Sequence, residues 1–209
     1  MVQNQAAKKL FLCAIKKMGK MRRRAKIAVL GWGSLIWDPG SLANRVKGPW
    51  KRGGPRLPIE FSRVSVNLRK GALTLVIDPQ NGTQVPTRFI LSSRTDPEDA
   101  ASDLQAREGN PRINNIGLVD LTNGYVRTRW ETVSEVIREW AKEHEIDAVI
   151  WTDLSSNFQD YTGKLFSVEN GIEYLDGLSG EVAQKAREYI ENAPDEVDTK
   201  LRRTLKEKG

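Results

Sequence analysis

The chain has 209 residues, 39% of them hydrophobic and 29% charged, with a formal net charge of +6. That is long enough for one domain with its own core and short for two. One cysteine, Cys13, and one histidine, His144, exclude an intramolecular disulfide framework and a Cys/His zinc site, which needs several such ligands at fixed spacing.

The excess positive charge lies at the start. Residues 1–24 hold eight Lys and Arg and no acid; subtracting those eight from the 33 Lys and Arg leaves 25 against 27 Asp and Glu, so residues 25–209 sum to −2. This leader has three readings: a basic tail that touches nucleic acid or a membrane surface, an acid-free organelle-targeting segment, or sequence upstream of a true start at Met18 or Met21. As a tail it gives only salt-sensitive, sequence-independent nucleic-acid binding. Its apolar stretch LFLCAI (10–15) is shorter than a secretory core, and no small-residue cleavage pattern follows. No run in the chain approaches the roughly 18 apolar residues of a membrane span. The expectation is a cytoplasmic protein with no membrane partner and one domain over 25–209.

Four β-type runs come next: KIAVLG (26–31), LPIEFSRVSV (57–66), ALTLVID (72–78) and TQVPTRFILS (83–92). Turn chemistry in KRGGPR, RKG and DPQNG separates the last three from what precedes them. Within the second run, alternation puts Phe61, Arg63 and Ser65 on one face and Ser62, Val64 and Val66 on the other. The first face suits a polar cavity inside a barrel, or else it points to solvent.

Helices dominate the remainder. Over 96–109, Asp96 is the predicted N-cap, Pro97 takes the first helical position and Gly109 marks the end. Residues 131–145 place Val133, Val136, Ile137 and Trp140 at helical spacing, with His144 solvated at a polar helix end. DAVIWTDL (147–154) reads as a buried strand, and SVENGIEYLDGL, GEVAQKAREYIENA and DEVDTKLRRTLKEK read as helices. Trp37, Trp140 and Trp151 read as core. Strands first and helices later predict α+β architecture.

The first strand runs into Gly31-Trp32-Gly33-Ser34, which invites a dinucleotide reading. That fingerprint needs a third glycine where Ile36 stands and an acid roughly 20 residues on. Asp38-Pro39-Gly40 also stops any helix within a turn, and no Gly-Lys-Ser/Thr phosphate loop exists. Instead VLGWGSLIWDPGSL, then LTLVIDPQNG, then LQAREG resembles, in order, the gamma-glutamylcyclotransferase-like superfamily, especially its ChaC branch. The resemblance covers about residues 26–109 and implies a small mixed β-barrel flanked by helices, with substrate at the barrel mouth. It makes Trp32, Gly33, Ser34 and Leu35 the substrate-binding turn and Glu108 the catalytic acid/base. One departure is visible: Trp32 stands where the family carries tyrosine, which keeps the backbone amides and removes a hydroxyl.

The chemistry implied is intramolecular closure of a γ-glutamyl amide to 5-oxoproline with release of the amine, using neither metal nor cofactor. Read from the residues alone, Ala101, Leu104 and Glu108 stand at i, i+3 and i+7, so Glu108 shares the apolar stripe of its helix. Arg107, about 100° away, need not neutralise it. Desolvation and the negative end of a helix dipole both favour the neutral carboxyl form, which makes a glutamate a useful base near neutral pH. The alternative is a frayed last turn with Glu108 in water. Arg63 either grips a substrate carboxylate or pairs structurally, and Asn157 and Tyr161 either line the mouth or form an ordinary loop. Two rival functions stand beside the enzyme: a non-catalytic small-ligand binder of the same fold, and an interaction protein acting through residues 1–24.

Overall fold

A computed structural model describes residues 24–66, 71–109 and 112–208. The leader, apart from Arg24, lies outside the described residues, as does Cys13. Strand β1 (Ile27–Gly31) and β9 (Ala148–Thr152) are parallel neighbours at the centre of a six-stranded sheet. Ile27 to Leu30 and Ala148 to Trp151 are at most 1% exposed. Such unbroken apolar runs are what a strand covered on both faces requires.

Around this pair stand β6 (Arg88–Ser92) and β2 (Val46–Lys51) on one side, and β7 (Ile116–Asp120) and β8 (Val126–Arg127) on the other, all joined antiparallel. A second sheet holds β3 (Arg56–Ser65) between β4 (Ala72–Ile77) and β5 (Thr83–Pro86). The two-residue period of the strands sorts the core into layers. Ile27, Val29, Ile116 and Ile150 pack with Leu104 of helix α1 (Pro97–Arg107). Ala28, Leu30, Val149 and Trp151 face the other way, onto Leu57, Ile59 and Leu73 of the small sheet. On that side lie α2 (Glu131–Glu143), the short α3 (Phe158–Thr162), α4 (Val168–Asp176), α5 (Gly180–Asn192) and α6 (Lys200–Lys208).

The mixed α+β class is as expected; the closed barrel is not. The two sheets share no paired strand, and β4, β5, β2 and β8 are edges, whereas closure leaves none. The run 83–92 divides at Thr87, where the chain passes from the small sheet to the large one. There Thr87 N and Oγ1 both donate to Pro55 O. The alternation expected over 61–66 is also interrupted. A bulge sets two residues of β3, Phe61 and Ser62, against the single position between Val76 and Thr74 on β4. Both are fully buried as a result, and Arg63 leaves the face that Phe61 occupies. Residues 195–199, expected within a helix, form a turn and irregular chain before α6.

Candidate functional site

A cavity of about 750 Å³ opens beyond the carboxyl ends of β1 and β9. The turn 32–35, Arg63, Glu108 and Asn157, all singled out from the sequence, line it together. Trp32 and Leu35 are pins rather than open groups, only 5% and 6% exposed. The Trp32 indole Nε1 donates to Leu75 O at 3.5 Å, tying the turn to β4, and Leu35 enters the core beneath α1. Between them the chain tightens: Ile36 N donates to Gly33 O at 3.0 Å and Asp38 N to Ser34 O at 2.7 Å. Among the described residues, no acceptor takes the N–H groups of Gly33, Ser34 or Leu35.

Helix α1 delivers Glu108 to the same wall. Asp96 caps its start, with Oδ1 accepting from Glu98 N at 2.8 Å, and Pro97 follows. At its end Glu108 N still donates to Leu104 O at 3.0 Å, so the last turn does not fray, and Gly109 turns the chain away at φ +58°. The Glu108 side chain is only 15% exposed.

Arg107 departs from expectation. Its guanidinium does reach Glu108, with Nη1 donating to Oε1 at 2.7 Å. Nη2 donates to Ser34 Oγ at 3.3 Å and to Asp38 O. The long side chain folds toward the turn, and a buried guanidinium there takes the nearest acceptors. Arg107 therefore fastens the end of α1 to the glycine turn. Glu108 Oε2 accepts no bond among the described residues, which leaves one oxygen of the carboxylate able to exchange a proton with a bound molecule.

Across the cavity, Arg63 Nη1 donates to Ser155 O at 2.7 Å. Burial lowers the pKa of its guanidinium, while Tyr161 and Asp160 nearby oppose that shift. Asn157 holds β3 in place: Oδ1 accepts from Val64 N at 2.7 Å and Nδ2 donates to Val64 O at 3.1 Å. Its amide is engaged by the backbone, and Tyr161 stands at the rim, 55% exposed. His144 is exposed, stacked on Trp140 with ring centroids 4.8 Å apart.

Among the lining residues without a sequence signal for the site are Arg107 and Tyr189. Arg107 was visible beside Glu108, but its reach to residue 34 is a tertiary fact. Tyr189, on α5, sits within a segment that reads simply as an amphipathic helix. Among the described residues, no group of three or more His, Cys, Asp and Glu is arranged to hold a metal, and no helix is long and apolar enough to cross a membrane. Compared with family models, with curated proteins and with solved structures, the chain finds no match in any of the three.

Proposed function

We propose that this cavity carries out the cyclotransferase reaction, converting a γ-glutamyl amide to 5-oxoproline and a free amine. The observation that supports the reading is the Arg107 bridge, which joins Glu108 to Ser34 and Asp38 on one cavity wall. A carboxylate and a turn with open amides are the two elements the chemistry needs. Glu108 Oε2 takes a proton from the substrate's α-ammonium. The freed nitrogen attacks the γ-carbonyl carbon, forming the ring C–N bond, and the amide C–N bond then breaks.

The protons balance. The α-nitrogen loses two as it passes from ammonium to lactam N–H, and the leaving nitrogen gains two as it passes from amide to ammonium. Glu108 relays them between two nitrogens bound to the same carbon. Amides of the 33–35 turn supply donors for the developing oxyanion or the α-carboxylate. Because the nucleophile is tethered to its target, positioning can provide much of the rate.

A second reading, a ligand-binding protein without turnover, is favoured by the Glu108–Arg107 ion pair, which engages one carboxylate oxygen. The two readings part in one experiment: 5-oxoproline release from glutathione, γ-glutamyl dipeptides and γ-glutamyl amines. Release from at least one compound supports the enzyme, and a folded protein silent across all of them overturns it.

A further inference from the structure

We propose that Tyr189 belongs to the same site, its phenolic hydroxyl donating a hydrogen bond to the substrate oxygen that becomes the oxyanion. This rests on the cyclotransferase reading above. Tyr189 comes from α5, remote in sequence from the glycine turn, yet it lines the cavity and is only 5% exposed. Its ring is fixed on two sides by edge contacts. The centroid lies 5.4 Å from that of Trp37 at 62° and 6.1 Å from that of Phe61 at 88°.

A ring held this way directs its hydroxyl at one place, and that place is the turn. The Tyr189 oxygen lies 2.6 Å from where a Cβ on residue 33 would stand, so the missing side chain of Gly33 is the space the hydroxyl occupies. The phenol thus stands beside Gly33, at the start of the turn. A preorganised O–H beside backbone donors stabilises charge developing on a carbonyl oxygen. Tyr189 keeps its proton throughout and forms no covalent bond.

Tyr189→Phe keeps the ring and both edge contacts and removes only the oxygen. Two measurements are made on the native protein and on this variant: steady-state 5-oxoproline release from the γ-glutamyl compounds, and calorimetric titration with 5-oxoproline. The expected result is a kcat roughly 100-fold lower, with KM changed by less than about twofold, in a variant that still unfolds cooperatively. Native kcat in the variant overturns the inference and leaves the cyclotransferase reading standing. If the native protein binds 5-oxoproline without releasing any, the cyclotransferase reading falls and the oxyanion role of Tyr189 falls with it, leaving only a ground-state contact of the hydroxyl. The hydroxyl contact is then judged by binding: affinity weaker by about fivefold or more in Tyr189→Phe supports it, and equal affinity overturns it. A native protein that neither releases nor binds 5-oxoproline overturns both.

Discussion

Gly33 stands where no side chain fits. A Cβ there would meet the Tyr189 hydroxyl at 2.6 Å and Leu75 Cδ1 at 3.7 Å. The ring of Tyr189 cannot swing away without leaving Trp37 and Phe61. Gly33→Ala is therefore an overpacking change and should cost about 1–3 kcal/mol. Tyr189→Phe removes the clashing atom, so in the double variant part of that loss returns. Urea unfolding of the native, two single and double variants reads the coupling, and strictly additive losses would contradict the contact. Arg107 makes the complementary point about charge. Its three partners lie on two elements separated in sequence, so a single side chain sets the distance between the candidate base and the turn.

Among the elements, those built from local signals are the ones legible in the sequence. The ends of α1 follow from Asp96, Pro97 and Gly109, and each takes the role its residue type predicts. The i, i+3, i+7 spacing likewise puts Glu108 on the face that carries the buried Ala101 and Leu104. What depends on distant partners was not legible. Edge strand β2 hides behind Gly48 and Pro49, residues tolerated there because an edge leaves ladder positions unfilled. Neither the separation of the sheets at Thr87 nor the bulge after Glu60 has a sequence signal of its own.

Glu60 shows how such a contact governs an element. It is fully buried on β3, with Oε1 accepting from Phe61 N at 2.8 Å and Oε2 from Leu201 N at 3.5 Å, in the first turn of α6. Burial raises its pKa, against the pull of these bonds and of Thr199. A carboxyl with a raised folded pKa stabilises the fold below its unfolded value, about 4.3. It loses that contribution as pH rises through the folded value. Relative to Glu60→Gln, the native protein should therefore lose stability between acid and neutral pH, read from urea midpoints. Asp153, raised by burial in the same direction, is common to both proteins and cancels in the difference. Parallel pH profiles would contradict this.

At the scale of the whole molecule, charge and architecture are separate. Residues 25–209 sum to −2 while residues 1–24 hold eight basic groups and no acid. Salt-sensitive binding to duplex DNA, if the full chain shows it, should vanish when residues 1–24 are deleted; its survival would place a nucleic-acid surface on the folded body. The body itself brings residues from the first strand, from the end of α1, from β3 and from α5 to one cavity. The carboxylate at its wall, Glu108, is tested most directly by comparing 5-oxoproline release by the native protein and by Glu108→Gln on the best γ-glutamyl compound. Glutamine keeps the size and loses the proton transfer, so the account predicts a fall in kcat of roughly 100- to 10,000-fold with the fold intact. Release at the native rate by Glu108→Gln would contradict it.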